Sequence, residues 1–401
     1  MASFITQLFY SRPNSAVRIP SVKLHNVETA VEKSGRTLKY FLRLNHANNA
    51  IWAHAATKHS ERYNTLPSIL ISAYLLGANY NELQNIYDTQ SKTLDQWTPS
   101  PHEVTGDDWR DYMGKKEYQR AYLDLFEDKL VDDGYDWKAT LNRFLFTGKE
   151  PLIHSITAGL GCPLIHLAYA YEVSSPVVAT EALAHVAVCY DDVRKYSEDA
   201  SYADAEPLYR SDSTMEILEK LRSDKRLDNV FVKAGEQNLE AIFRDHETTL
   251  LEHWKAWTIT DPVKQFQESQ DTAVALFACA KSGKYGRYFF QVLATSHALR
   301  VLLPLIPSEF HLPLLRQWLL LTIAIYVSEL RPEIDLGEVK NYDVKGRDWD
   351  WAAQEALRGP HSTNPLFVQG IYALRGIAQT WSDSKEFYLQ AAVKFADEFK
   401  G

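Results

Sequence analysis

Three groups of polar residues interrupt otherwise apolar stretches of this chain, and each is placed where it can do chemistry. The first is Asn64, Thr65 and Ser68, at the head of the run from Arg62 to Ala78. Their spacing of three or four residues puts them on one face of a helix, where an amide and two hydroxyls can orient the oxygens of a ligand. Equally, Asn64 or Thr65 can simply cap the helix. Pro67 in the first turn and Gly77 at the end are the expected start and stop. The second group is His166, in the run Gly159 to Glu172 that also holds Cys162 and Tyr169. Glycines followed by Pro163 describe a turn entering a helix, with His166 in its first turn. The positive end of the helix dipole would lower the imidazole pKa there and leave a neutral ring able to accept a proton. The alternative is a hydrogen-bonded core histidine. Cys162 lacks the histidine partner of a protease-type nucleophile and reads better as a buried thiol. The third group is the segment Lys284-Tyr285-Gly286-Arg287-Tyr288 and the following Thr295-Ser296-His297. His297 lies among Phe289, Phe290, Leu293 and Val301, so its imidazole needs a partner or a ligand. His154 is a weaker candidate of the same kind, and His46, His54 and His59 have no metal-ligand spacing. Asp191-Asp192, after Tyr190, read as a helix cap or a solvated pair, since adjacent residues do not share a face.

The elements that must position these residues read as helices almost throughout. Apolar residues recur at helical spacing over Trp109–Val131, Asp136–Phe146, Pro176–Tyr196, Met215–Arg222, Pro262–Lys281, Tyr288–Leu303 and Leu366–Trp381, and strand alternation is hard to find. Asp136, Ser175 before Pro176, Ser213 with Glu216, and Asp261 before Pro262 are sensible helix starts. Thr98-Pro99-Ser100-Pro101, Arg331-Pro332-Glu333-Ile334-Asp335 and the polar segment Ser197–Arg210 read as connections. No stretch has the composition of a long flexible linker, and no period of about 20–50 residues repeats. We therefore expect an all-α fold: a single large helical domain over residues 1–401 with a buried, aromatic-lined substrate pocket.

Composition bounds the function class. The chain has 401 residues, 45% of them hydrophobic, enough for a large core. A formal net charge of −9 and the lack of a basic run argue against a nucleic-acid binder. The three cysteines, Cys162, Cys189 and Cys279, fit neither a disulfide framework nor a zinc motif, which points to a reducing compartment. Met1–Tyr10 has no basic leader and is soon broken by Arg12 and Pro13, so a signal peptide is not expected and a cytoplasmic location is. Leu314–Leu330 is apolar, but Arg316, Gln317 and Glu329 interrupt it, so a core helix is expected rather than a membrane span. No G-x-G-x-x-G follows a strand, and Gly283-Lys284-Tyr285-Gly286-Arg287 is too sparse a pattern for a flavin or nicotinamide site. The 22 tyrosines and 10 tryptophans could supply the walls of a pocket for a planar ligand.

Taken together, three segments resemble the questin oxidase-like family of fungal oxygenases. The Arg62–Ala78 run is similar to its H-N-H-x-x-H helix, with Asn64 kept and Tyr63, Thr65 and Ser68 in place of histidines. Gly161–Tyr169 is similar to its G-H-P-L-I-H-L-G-Y pattern, with His166 kept and Cys162 replacing the first histidine. Asn364–Arg375 is similar to a helix carrying a histidine and, three residues later, a lysine, where this chain has Leu366 and Gln369. The resemblance implies that metal-using members hold iron on histidines of these segments with a carboxylated lysine, and that this chain, lacking most of those ligands, binds no metal. It further implies enzymes of aromatic polyketide biosynthesis that open an anthraquinone ring by Baeyer–Villiger oxidation. The expectation is a cofactor-independent oxidase with O2 as co-substrate, the reduced substrate supplying the electrons and a separate anthraquinone reductase supplying that substrate. His166 or His297 would be the base, with Asn64, Thr65 and Ser68 orienting substrate oxygens or the peroxide. Tyr63, Cys162, Tyr169, Tyr285 and Gln369 would contact the substrate. The alternatives are an iron-dependent ring-cleaving dioxygenase with a rearranged ligand set, and a catalytically silent polyketide-binding protein.

Overall fold

The computed structural model describes residues 16–53, 63–199, 201–204, 206–381 and 384–401. Met1–Tyr10, Arg12, Pro13, His54, His59 and Arg62 lie outside the described residues. Among the described residues there are helices and isolated bridges but no strand, and the fold is all-α as the periodicity predicts. Contacts divide the chain into two compact units, each assembled from separated segments. Unit I comprises Val22–Arg194, Val344–Gly376 and Ala392–Gly401, and unit II comprises Met1–Ser21, Lys195–Asp343 and Ile377–Ala391.

Unit I contains the longer helices α1 (Lys33–Asn48), α2 (Leu66–Leu76), α3 (Tyr80–Gln90), α4 (Gln119–Asp132), α5 (Cys162–Val173) and α6 (Pro176–Val188). Helix α1 is amphipathic and turns Leu38, Phe41, Leu42, Asn45 and His46 inward. Helix α2 is apolar nearly all round and is therefore buried on most of its surface, packed against α1. It ends at Gly77, whose φ of 103° is open to glycine at little cost. Every residue of α5 is buried, and α5 packs along α6, which also packs on α4. Asn79 and Glu82 form a reciprocal capping box at the start of α3.

Unit II contains α7 (Thr214–Ser223), α8 (Gln237–Asp245), α9 (Glu247–Lys255), α10 (Pro262–Cys279), α11 (Arg287–Leu302) and α12 (His311–Ser328). Helix α10 packs on α11 and α11 on α12. By length and composition the helical stretch 308–328 could cross a bilayer, but 72% of its apolar window is buried within the protein, as expected of a core helix. Helix α13 (Trp349–Arg358) belongs to unit I, while the unit boundaries fall inside α14 (Pro365–Thr380) and α15 (Lys385–Glu398).

Two expected helices are shorter than the apolar spacing suggested. Trp109–Val131 begins with two 3₁₀ turns, Trp109–Tyr112 and Lys116–Tyr118, before α4. The break falls at Gly114, where φ is 80° and a Cβ would come within 2.7 Å of the Tyr190 carbonyl oxygen. Pro176–Tyr196 stops being α-helical at Val188, so Asp191 and Asp192 are not on an α-helix. Asp191 instead accepts from the Val193 N–H, and Asp192 opens a 3₁₀ turn. Asp136, Ser213 and Asp261 cap their helices with side-chain bonds, whereas Ser175 does not.

The connection at Arg331 is a structural clamp in unit II. Its guanidinium donates to the carbonyls of Leu221, Arg222, Asp224 and Leu227 and to Asp228 Oδ1, all within 2.7–3.0 Å. It thus satisfies carbonyls at the C-terminus of α7, where the helix itself supplies no donors and a cation is favoured. Arg331→Ala should lower unfolding free energy by about 3 kcal/mol, the scale of losing several charge-assisted bonds to part-buried acceptors. Arg331→Lys should restore only part of it, because a point charge cannot serve five acceptors arranged for a planar fork. Urea denaturation of the three proteins measures both effects, and an unchanged midpoint for Arg331→Ala would contradict the assignment.

Candidate active site

The polar head of α2 is held rigidly. Asn64 Nδ2 donates to Asn45 Oδ1 at 2.9 Å and to the Ala50 carbonyl at 3.2 Å, and its Oδ1 accepts from Leu66 N–H at 3.0 Å. The side chain therefore joins α1 to α2 and closes the first turn of α2, the capping alternative allowed by the sequence. Its backbone N–H donates to Ile51 at 2.8 Å, and Tyr63 forms an antiparallel bridge with Trp52. Gln119 completes the frame by accepting from Trp52 N–H at 2.9 Å and donating to its carbonyl at 3.1 Å. Thr65 is the N-cap but makes no side-chain capping bond. Ser68 is buried, and its hydroxyl has no hydrogen-bond partner among the described residues.

That frame presents Tyr63 to a pair of buried histidines. His166 and His185 have ring centroids 4.3 Å apart, and Tyr63 meets each edge-on at 6.2 Å. Trp52 meets His185 at 6.0 Å and Tyr63 at 5.9 Å. Cys162 Sγ lies 3.6 Å from His185 Nδ1. The pairing follows from helix geometry: Cys162 and His166 are one turn apart on α5, Glu181 and His185 one turn apart on α6, and the two helices pack together. His166 is the fifth residue of α5, just beyond the first turn. Its pKa is lowered, as the dipole argument anticipated, but burial is the main cause, offset in part by Glu181 and the Cys162 backbone. His185 is lowered well below the usual histidine range by burial and then by His166.

A charged group stands behind these neutral rings. His46 Nδ1 bonds to Glu181 Oε1 at 2.9 Å and its Nε2 to Glu127 Oε1 at 2.7 Å. Burial alone would lower the His46 pKa, but the two carboxylates overcome it and raise it to about 9, so both ring nitrogens carry protons at neutral pH. The other Glu181 oxygen, Oε2, stands 4.0 Å from His166 Nε2.

The remaining candidates have separate surroundings. Tyr169 shares a 2.7 Å hydrogen bond with Ser72 and stacks with Tyr372 at 6.3 Å, and burial raises its pKa. Gln369 donates to the Pro365 carbonyl one turn back at 3.0 Å. His297 and Tyr285 belong to unit II. Tyr285 meets Phe277 edge-on at 5.5 Å, and its N–H donates to the Phe277 carbonyl at 2.9 Å. Burial and then the Arg300 cation push the His297 pKa down to about 3. His154 is lowered to about 4 by burial.

Sequence reading selected Tyr63, Cys162 and His166 but missed Glu181, His185, Glu127 and the part played by His46. The Glu181/His185 pair had a readable signal, since these are the ionisable residues of an otherwise apolar and small-residue helix, placed four apart. The donor types do not fit the iron that the resemblance implies. The matched places hold Tyr63, Thr65, Ser68, Cys162, Leu366 and Gln369, and among the described residues no three His, Cys, Asp or Glu side chains are grouped to hold a metal ion.

A family model described as questin oxidase-like matches residues 63–374. Two curated relatives, a questin oxidase of Aspergillus terreus and a questin oxidase of Aspergillus fumigatus, are each 26% identical to the chain, over 191 and 176 residues respectively. The matches cover 45% and 42% of this chain but 40% and 37% of the relatives, so the chain spans about two fifths of the length of the curated relatives it matches.

The His46 pair makes a prediction for stability. A histidine pKa raised from 6.5 to about 9 on folding contributes stability that is fully present below 6.5 and is lost as pH rises through about 9. His46→Gln should flatten this dependence and cost about 3 kcal/mol at neutral pH, because Glu181 is left buried without its cation. Denaturant unfolding at intervals from pH 6 to 9 would reveal the effect; equal slopes for both proteins would mean that His46 gains no proton affinity on folding.

Proposed function

The chain belongs to the questin oxidase-like family, and from that premise we propose an oxidoreductase acting on an aromatic polyketide, a Baeyer–Villiger monooxygenase that opens a reduced, emodin- or questin-type anthraquinone with O2. The observation that carries the reading is the charge facing each candidate base. His166 lies 4.0 Å from the Glu181 carboxylate, which favours its protonated form. The Arg300 cation disfavours protonation of His297. An imidazole that must gain a proton inside an apolar site is served by the anion and opposed by the cation. We therefore assign the base to His166 rather than His297.

In the proposed reaction His166 takes a proton from a hydroxyl of the reduced substrate, and the resulting anion passes electrons to O2. A peroxide forms on a substrate carbon and adds to a carbonyl; its O–O bond breaks as ring expansion inserts one oxygen to give a lactone, and the other, left as a hydroxyl on the first carbon, departs as water when that C–O bond breaks and the ring rearomatises. The two electrons lost by the hydroquinone balance the formation of water, so neither flavin nor iron supplies a step. Tyr63 and Ser68 hold the substrate oxygens, while Asn64 acts through its grip on the Tyr63 segment. Thr65, Cys162, Tyr169 and Gln369 remain proposed substrate contacts, whereas Tyr285 belongs to unit II and is not assigned to this site. The reading includes a cytoplasmic location, in keeping with free cysteines at 162, 189 and 279, and a separate reductase to supply the hydroquinone.

His166→Ala should reduce turnover by about 10²-fold or more, the scale for loss of a general base, with thermal stability little changed. His297→Ala should retain most activity. The reverse pattern moves the base to His297, and two active, folded variants move it elsewhere, Tyr63 being the next group to replace.

Purified protein should contain no stoichiometric iron, survive chelation, and convert chemically reduced substrate with O2 in the absence of added FAD or nicotinamide. About one iron per chain with activity lost on its removal would favour the ring-cleaving dioxygenase. No oxygen uptake with any reduced anthraquinone would favour a binding protein.

A further inference from the structure

A buried base that takes a proton must pass it on, to the departing oxygen or toward solvent, before the site can turn over. His166 is buried, and the polar path leading from it runs through three side chains on three helices. Glu181 Oε2 is 4.0 Å from His166 Nε2, and Glu181 Oε1 is 2.9 Å from His46 Nδ1. His46 Nε2 is in turn 2.7 Å from Glu127 Oε1, and the Glu127 side chain is 39% exposed. Glu181 itself is buried, with Oε2 making no hydrogen bond among the described residues. An open oxygen on a buried carboxylate is costly, and a buried ion pair of this kind is weak evidence for stability. Both features suit a group that receives a proton.

We propose that Glu181, His46 and Glu127 form a proton outlet for His166, carrying to solvent the equivalent of the proton taken from substrate. The proposal rests on the reading of His166 as base. In the forward step the N–H bond at His166 Nε2 breaks and an O–H bond forms at Glu181 Oε2, after the two atoms close by about 1 Å to hydrogen-bond distance. Neutral Glu181 no longer stabilises the His46 cation. His46 then gives its Nε2 proton to Glu127, which passes it to water, and His46 remains neutral with Nδ1–H facing Glu181. One proton has entered at His166 and one has left at Glu127, with no net change in the charge of the chain. The return step, when the departing peroxide oxygen needs a proton, reverses each transfer. The starting state has the required protonation, since His46 is raised to about 9 and is cationic at neutral pH. Glu181 and His46 are positioning and relay residues that act through His166 rather than on the substrate.

The experiment separates proton capture from proton release. Electrochemically reduced emodin is mixed anaerobically with enzyme in weak buffer containing a pH indicator, and the substrate anion is followed by its absorbance alongside the indicator. In the wild type the anion and the released proton should appear together. In Glu181→Gln the anion should form while release lags by about tenfold or more, a split that loss of packing alone would not produce. Glu127→Gln, which keeps a hydrogen-bond acceptor for His46 at the half-exposed end, should give the same split to a smaller degree and decides the matter if Glu181→Gln does not fold. Release at the wild-type rate in these variants, with His166→Ala failing to form the anion, would overturn the outlet and leave the base assignment standing. Undiminished anion formation in His166→Ala, or none in the wild type, would overturn the base assignment and the outlet with it.

Discussion

His46 is a cation held between two carboxylates in the interior of unit I, and the three members of the group come from three helices: His46 from α1, Glu127 from α4 and Glu181 from α6. Burying charge is costly unless each donor finds an acceptor, and here both imidazole nitrogens do. The arrangement fixes the mutual rotation of these helices. Once α6 is turned to offer Glu181 to His46, His185 one turn away must face α5, and it meets His166 at 4.3 Å between centroids. The neutral rings of the candidate site thus depend on the charged group behind them.

The same arrangement sets two histidines of similar burial in opposite electrostatic surroundings. His166 and His297 each sit on an apolar helix, and desolvation lowers both. Only the sign of the nearby charge distinguishes them. Glu181 offsets the cost of protonating His166, while Arg300 adds to that of His297. A sequence window around His166 contains too little to reveal this, because Glu181 approaches from another helix, whereas Arg300 stands three residues beyond His297 on its own helix.

Helix content and most helix ends were legible because their causes are local. Gly77 ends α2 through its left-handed backbone, and Asp136 and Asp261 cap their helices through neighbouring N–H groups. Gly114 was not legible as a break, since what forbids a side chain there is the carbonyl of Tyr190, brought close by tertiary folding. The candidate site divides in the same way. Tyr63, Cys162 and His166 stand in recognisable motifs, whereas His46 finds its carboxylates 81 and 135 residues further along the chain. No local spacing encodes such a group. Asn64 shows a different difficulty: it was noticed for the right reason, a polar side chain at an apolar helix start, yet its amide is engaged with Asn45, Ala50 and Leu66.

The interleaving of the two units also has a consequence for biosynthesis. Unit I draws on residues 344–376 and 392–401, and unit II on residues 377–391. A ribosome releases the chain from its N-terminus, and domains made of continuous sequence can fold in that order as they emerge. Here neither unit is complete until residues 377–401 have left the exit tunnel. The apolar faces of α5, α6, α10 and α11 are synthesised well before these closing segments arrive. The nascent chain therefore carries unfinished cores until those segments emerge, and how long these stay exposed is set by the order of the segments rather than by the final strength of their packing.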